Sequence, residues 1–294
     1  MIVRSSDIPQ PFLKWAGGKR QLVSEISEAF PKSFWKGNAR FYEPFLGGGA
    51  LTLYLGNPNS TMYVPGKRLF LNDINPDLIT TYAQVRDNLT QLVQKLERLS
   101  RDLSKDAFLD LRKATPDREV DIAARFIYLN KTCFNGLWRV NSKGEFNVPW
   151  GQFKTPRIFN AENLYLVSKR LQSSTLTSMP YTSALSNVRK GDLVYLDPPY
   201  IPLSISSSFS KYAKNGFGLL DQYGLSGVIS GLSEIGVFVI LSNSDTALTR
   251  EVFGHTLQLK KVSVQRTISA KTTGRNRITE VLGVNYDHRS RILN

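Results

Sequence analysis

Asp192-Leu193-Val194-Tyr195-Leu196-Asp197-Pro198-Pro199-Tyr200 is the stretch from which the fold can be read. Its first half is a run of apolar, strand-favouring residues, and its second half is a rigid polar turn. Three other stretches repeat the pattern of an apolar strand followed by a polar or Gly/Pro-rich turn. They are Phe41-Tyr42-Glu43 before residues 44–49, Arg68-Leu69-Phe70-Leu71 before 72–75, and Val237-Phe238-Val239-Ile240-Leu241 before 242–245. Helical stretches separate them, which predicts an α/β chain with a largely parallel sheet. Ligands of open α/β sheets bind at the carboxyl ends of strands, so the four turns are expected to converge on one crevice.

Between the second and third strands the character changes. Residues 77–99 read as one helix, with Leu78, Tyr82, Val85, Leu89, Leu92, Val93 and Leu96 at near-helical spacing, and residues 120–129 read as another. Residues 130–157 are turn-rich, basic and aromatic, with a hairpin expected around Ser142-Lys143-Gly144-Glu145. This predicts a core made of residues 1–77 and 183–294, with residues 78–182 inserted as a second lobe. Residues 205–210, with four serines, read as a mobile loop.

The chain has 294 residues, of which 41% are hydrophobic and 11% aromatic, enough to bury a sizeable core and to exclude whole-chain disorder. Lys and Arg number 38 against 24 Asp and Glu, a net charge of +14 spread over many short stretches. A polyanion partner, nucleic acid first, is expected from that distribution, although charge that merely aids solubility has the same appearance. Cys133 alone cannot form an internal disulfide, and His255 and His288 lie too far from it in sequence to build a Cys/His zinc cluster. Residues 1–20 carry Arg4, Asp7, Lys14, Lys19 and Arg20, and no run of about 18 apolar residues occurs anywhere. The expectation is a soluble, cytoplasmic protein without a leader segment.

Asp197-Pro198-Pro199-Tyr200 aims a carboxylate and a carbonyl at one point. An exocyclic amine conjugated to a ring is a poor nucleophile, because its lone pair is delocalised. If Asp197 and the carbonyl of Pro198 each accept one N–H of such an amine, the lone pair turns towards an electrophile while Tyr200 stacks on the ring. A Pro-rich turn with a capping aspartate is the plainer reading of the same residues. Glu43-Pro44-Phe45-Leu46-Gly47-Gly48-Gly49 joins a strand to a helix, where glycines let a ligand approach the backbone. It matches neither the dinucleotide fingerprint nor the P-loop. Asn72-Asp73-Ile74-Asn75 follows the next strand; Asp73 there either accepts from the ribose hydroxyls of an adenosine-containing ligand or caps a helix. Phe12-Leu13-Lys14-Trp15-Ala16-Gly17-Gly18-Lys19-Arg20 sets cationic and aromatic groups beside a Gly-Gly pair, as a wall of a site, a phosphate-binding loop or a basic turn.

In this order, residues 12–19, 43–49, 72–75 and 197–200 resemble the motifs of the DNA adenine methyltransferase family, S-adenosylmethionine-dependent N6-adenine methyltransferases of the D12 class. Asn130-Lys131-Thr132-Cys133-Phe134-Asn135-Gly136-Leu137-Trp138-Arg139, Gly144-Glu145-Phe146-Asn147-Val148-Pro149, Ser242-Asn243-Ser244-Asp245-Thr246 and Arg266-Thr267-Ile268-Ser269 also look like family segments. The resemblance implies a Rossmann-like methyltransferase core with a mainly helical target-recognition domain inserted ahead of Asp197. It implies that Trp15, Lys19, Glu43, Phe45, Gly47, Asp73 and Asp197 hold S-adenosylmethionine, with Asp73 on the ribose. Asp197, Pro198 and Tyr200 would bind and activate the target adenine. Lys14, Phe134, Asn135, Leu137 and Arg139 would touch bases.

Adenine N6 lies inside the duplex, so the base would be flipped out, at a cost of roughly a few kcal/mol. No metal is required for in-line methyl transfer. Arg139 on guanine and Leu137 on a thymine methyl suit a short site containing G and T, and family members with Asn-Gly-Leu-x-Arg commonly methylate GATC. Thr132-Cys133-Phe134 departs from the family's tyrosine-rich stretch, and Trp138 is bulkier than the usual residue. The expected partners are double-stranded DNA and a cognate restriction endonuclease acting on the same site, with no membrane, and the chain acting as a monomer. A methyltransferase of another amine (cytosine N4 or RNA), a DNA-binding relative without catalysis, and a nucleotide hydrolase are the competing readings.

Overall fold

The computed structural model describes residues 8–57, 62–153, 156–201, 217–265 and 277–287. In chain order the first elements are α1 (Val23–Glu28), α2 (Lys32–Trp35), β1 (Phe41–Glu43), α3 (Ala50–Tyr54), β2 (Leu69–Asn72), α4 (Pro76–Asp87) and α5 (Leu89–Leu99). Then come α6 (Lys105–Lys113), α7 (Glu119–Thr132), α8 (Ala161–Leu171), β3 (Thr175–Thr177), α9 (Tyr181–Ala184) and β4 (Leu193–Leu196). The last are α10 (Leu219–Glu234), β5 (Phe238–Ser244), α11 (Ala247–Phe253), β6 (Gln258–Gln265) and β7 (Arg277–Val284). The α/β class is as expected, and the chain divides into two compact units, residues 1–20 with 46–179, and residues 21–45 with 180–294.

The first unit is built on α7, whose Ala123, Ala124, Phe126, Ile127, Tyr128 and Leu129 are all buried. A helix buried over most of its surface belongs at a centre, and α4, α5 and α6 pack around it. Residues 77–99 are not one helix. The backbone leaves helical geometry at Asn88 (φ −135°, ψ 37°), where the Asn88 N–H closes α4 on the Gln84 carbonyl at 3.0 Å. The Asn88 carbonyl then opens α5 by accepting from Leu92 N at 3.1 Å. Asparagine readily leaves helical conformations, and the apolar spacing runs on across the bend because Leu78, Val85, Leu92 and Leu96 are all buried. β2 and β3 pair in parallel, Phe70 opposite Thr175.

The hairpin expected near residues 142–145 is present. Val140 bridges Phe146, Asn141 N donates to the Glu145 carbonyl at 2.9 Å, and Gly144 takes φ 80° at the turn.

In the second unit β1, β4 and β5 run parallel, with Phe41 opposite Leu193 and Leu193 opposite Phe238. All of β4 is buried, as its continuous apolar run requires. Asp192 precedes the strand rather than opening it, and its carboxylate accepts from Arg40 N at 2.8 Å and Arg40 Nε at 3.0 Å. β7 then runs antiparallel to β5, with β6 antiparallel beyond it. Glu280 on β7 therefore stands opposite Ser244, the last residue of β5. Among the described residues no helix is long and apolar enough to cross a membrane. Residues 205–210 and 266–269 lie outside the described residues.

Candidate active site

In the first unit the glycine turn is tied to the end of β2. Leu46 N donates to the Asn72 carbonyl at 2.9 Å, and Gly47 N to Asp73 Oδ2 at 2.9 Å. Asp73 Oδ1 accepts from Asn75 N at 3.0 Å. The cap of α4 is Asn75, whose Oδ1 accepts from Leu78 N at 3.2 Å, so Asp73 is not spent on capping. Burial raises the Asp73 carboxyl pKa, against the pull of the two backbone N–H groups. Each carboxylate oxygen still has room to accept a further donor.

Trp15 lies on the same turn. Gly47 has φ 48°, and a Cβ there would stand 2.7 Å from Trp15 Cδ1 and Nε1. Glycine is required at Gly47 both for the backbone and for the indole to approach it. Tyr82 donates its hydroxyl to the Gly47 carbonyl at 3.1 Å, fixing the turn from beneath. Lys19 is buried, its Nζ donating to the Gly17 carbonyl. Trp15, Gly47 and Asp73 are thus brought together.

The expected base-contacting residues are also brought together in this unit. α7 ends at Thr132, and a short turn carries Phe134 (45% exposed), Asn135 in the left-handed region (φ 54°) and Leu137 (40% exposed). Two large apolar side chains left in water beside basic residues suit a recognition surface. Arg139 is exposed and held by the opposite arm of the hairpin, its Nε donating to Asn147 Oδ1 at 2.7 Å. Trp138 instead points inward, stacked on Phe126 with ring centroids 3.7 Å apart and tilted against Phe146 at 4.7 Å. Its bulk fills the base of the hairpin.

Lys14 N donates to Asn130 Oδ1 at 2.8 Å, and Asn130 Nδ2 donates to the Lys14 carbonyl at 2.7 Å and to the Gly136 carbonyl at 3.2 Å. The Lys14 ammonium lies over the Phe153 ring, 4.1 Å from its centre. Burial, reinforced by the Lys14 charge, brings the Lys131 pKa down to about 8. Cys133 is buried and its thiol is pushed up to about 11.

The second unit holds the remaining site residues. Glu43 is buried at the end of β1, and the Phe45 ring packs on Tyr181 and Phe217 at 5.3 and 5.6 Å. Asp197 and Tyr200 are half-buried and Pro198 is buried. The carbonyl of Pro199 is taken by Gln222 Nε2 at 2.7 Å, whereas that of Pro198 has no hydrogen-bond partner among the described residues. Ile201 N donates to Asn243 Oδ1 at 3.2 Å, and Ser244 Oγ donates to the Ile201 carbonyl at 2.5 Å. Tyr200 donates its hydroxyl to Glu280 Oε2 at 2.7 Å. Burial, with the Asp197 carboxylate nearby, raises the Tyr200 pKa far above that of a free phenol, so it stays a donor. The turn after β4 therefore meets the last residues of β5: residues 242–244, expected as a turn, continue the strand because their buried side chains keep pairing with β7, while in the first unit the glycine turn meets the turn after β2.

Sequence reasoning singled out neither Gln222 nor Glu280. Gln222 carried a usable signal, an amide at helical spacing with Leu225, Ile229 and Leu232 on one apolar stripe, and the structure buries it fully there. Among the described residues no group of three or more His, Cys, Asp or Glu side chains could hold a metal.

Over residues 15–268 the chain matches the family described as D12 class N6 adenine-specific DNA methyltransferase. It is 40% identical over 285 residues to the type II methyltransferase M1.LlaDCHI of Lactococcus lactis subsp. cremoris, covering 94% of this chain and 95% of that one. The DNA adenine methylase of Serratia marcescens is 38% identical over 278 residues, covering 93% and 97%. That of Vibrio cholerae serotype O1 is 35% identical over 284 residues, covering 95% and 97%. With the match running through the glycine turn, the hairpin and Asp197-Pro198-Pro199-Tyr200, the chain belongs to the D12 class of N6 adenine-specific DNA methyltransferases.

Proposed function

We propose that the enzyme methylates N6 of an adenine flipped out of duplex DNA, within the sequence GATC, and takes the methyl group from S-adenosylmethionine. The observation that carries the reading is the asymmetry of the two proline carbonyls: Pro199 is bonded to Gln222, while among the described residues nothing donates to Pro198, which can accept beside the Asp197 carboxylate. Those two acceptors suit the two N–H groups of one exocyclic amine, and Tyr200 supplies the stacking surface that the flipped base loses.

The residues of the first unit fit the methyl donor. The half-buried Asp73 carboxylate suits a ribose diol, and the glycine turn under Trp15 leaves backbone open to a close ligand. Lys19, Glu43, Phe45 and Asp197 belong to the same proposed set. S-adenosylmethionine, when bound, supplies a methyl group on a positively charged sulfur. The chain's own part is to hold the amine, direct its lone pair and exclude water.

The GATC reading is supported by Phe134, Asn135 and Leu137 on the turn after α7, close to Lys14, and by Arg139 on the hairpin that follows, held by Asn147 at Nε; a guanidinium suits guanine O6 and N7. Double-stranded DNA is the partner of a monomer, and a cognate restriction endonuclease at the same site is part of the proposal, in line with the type II designation of one relative. Tritium-labelled S-adenosylmethionine and two duplexes differing only in GATC against GTTC, followed by nucleoside analysis, test the reading. Label in N6-methyladenine on the first duplex alone is expected. Label on both would discard GATC, and no label on either would discard the assigned target.

A further inference from the structure

Residues 199–201 are gripped from three elements. α10 holds the Pro199 carbonyl through Gln222, β5 holds both backbone groups of Ile201 through Asn243 and Ser244, and β7 holds the Tyr200 hydroxyl through Glu280. Gln222 and Asn243 are fully buried and Ser244 nearly so, and Asn243 Nδ2 reaches Gln222 Oε1 at 3.5 Å, so two of the grips brace each other. These contacts fix the backbone on either side of Tyr200. A stacking platform works only if its ring is held as well as its backbone.

We infer that Glu280 is a positioning residue for methyl transfer: the hydroxyl-to-carboxylate hydrogen bond at 2.7 Å fixes the direction of the Tyr200 ring's long axis, and the in-plane preference of the phenolic O–H orients the ring about it. The inference rests on the proposed stacking of Tyr200 against the target adenine. The antiparallel course of β7 is what makes it feasible. Because β7 runs against β5, Glu280 comes out opposite Ser244, at the carboxyl end of β5, where the turn after β4 also lies. The backbone ladder between β5 and β7 extends on to Ile240 and Val284 without calling on any side chain. The Glu280 carboxylate is therefore not needed for strand pairing, and its contact with Tyr200 is a separate feature.

The test is a double-mutant cycle of single-turnover methylation rates on one duplex, with thermal melting to confirm folding of each variant. Tyr200→Phe and Glu280→Ala are each expected to slow transfer about tenfold, the size of one lost charge-assisted hydrogen bond. The double variant is expected to be no slower than either alone. Glu280→Gln, which keeps an acceptor, should retain most of the rate, and Glu280→Met, which fills the space without an acceptor, is measured with the same expected loss should Glu280→Ala fail to fold. Fluorescence of 2-aminopurine at the target position should report a less ordered extrahelical base in Tyr200→Phe and Glu280→Ala alike. Multiplicative losses in the double variant, or an unchanged rate in Glu280→Ala, would overturn the inference. Tyr200→Ala separates the two readings. If it loses rate while Glu280→Ala does not, stacking stands and only the role of Glu280 fails; if it keeps full rate, the stacking reading fails and the role of Glu280 with it.

Discussion

The single carboxamide of Asn130 bonds both backbone groups of Lys14, accepting from its N–H at 2.8 Å and donating to its carbonyl at 2.7 Å. The same Nδ2 reaches the carbonyl of Gly136, so one fully buried side chain fixes the opening segment against the turn that follows α7. A Cβ on Gly136 would come within 2.3 Å of Lys14 Cβ, which shows how closely the two strands of chain approach. Asn130→Ala is expected to destabilise the protein by about 2–3 kcal/mol, since it leaves three backbone groups without their partner. Asn130→Asp should be at least as damaging, because a buried carboxylate would face two carbonyls. Chemical denaturation checks both, and an Asp variant more stable than Ala would contradict this account.

The glycine turn gives a second comparison. Gly47→Ala places a Cβ into the Trp15 indole at φ 48°, whereas Gly144→Ala, at φ 80°, meets nothing within 4 Å. The second change should cost about 1 kcal/mol, the backbone penalty alone. The first should cost more and should also weaken S-adenosylmethionine binding, read by calorimetric titration. Equal stability losses with intact cofactor affinity would remove Trp15 from the proposed site.

Asp197→Ala should abolish methyl transfer while leaving duplex affinity nearly unchanged, and Asp73→Ala should weaken cofactor binding but not DNA binding. Band-shift and cofactor-binding measurements on both variants check this. Normal turnover in Asp197→Ala, or normal cofactor affinity in Asp73→Ala, would reassign the residue concerned.

Arg139→Ala should cut discrimination between GATC and single-base variants by about 1–3 kcal/mol. Asn147→Ala, which frees the Arg139 guanidinium without removing it, should act in the same direction and less strongly. Uniform weakening on every duplex would mark Arg139 as a phosphate contact.

Lys131 sets a pH dependence with opposite signs for stability and binding. Its pKa is lowered from 10.5 to about 8 in the folded protein. Below about pH 8 both folded and unfolded chains carry the charge, and the folded one bears the full cost of burying it. Between about 8 and 10.5 the unfolded chain binds more protons, so the stability contributed by this group rises with pH. Attraction for a polyanion moves the other way as the charge is lost. Duplex affinity should fall from pH 7 to 9, with a salt dependence shallower by up to about one counterion, and Lys131→Arg should flatten that fall. A pH-independent affinity in the unsubstituted enzyme would refute it.

Much of this was legible before the structure. β1, β2 and β4 lie where their apolar runs ended in polar turns, because burial on both faces leaves a continuous apolar signature, whereas β5 runs on through Ser242, Asn243 and Ser244, polar residues that are buried and paired with β7. β3, β6 and β7 escaped notice. Thr175–Thr177 is short and partly exposed, and Gln258–Gln265 mixes Lys with Val, so neither stands out from loop. The bend at Asn88 was hidden because apolar spacing records which face is buried, not whether the axis is straight. Motif residues such as Asp73 and Arg139 could be named from sequence, but their supports could not. Asn130, Asn147 and Glu280 are ordinary polar residues until the register of a helix, a hairpin or a strand shows what they touch.

The stack of Trp138 between Phe126 and Phe146 bears on how specificity in this enzyme could be changed by grafting. The hairpin's footing is lodged in α7, and α7 in turn grips Lys14 near the start of the chain. A transplant of residues 134–149 from a relative would therefore arrive without its seat. The exchangeable module is discontinuous: residues 12–15, the second half of α7 and the hairpin have to travel together.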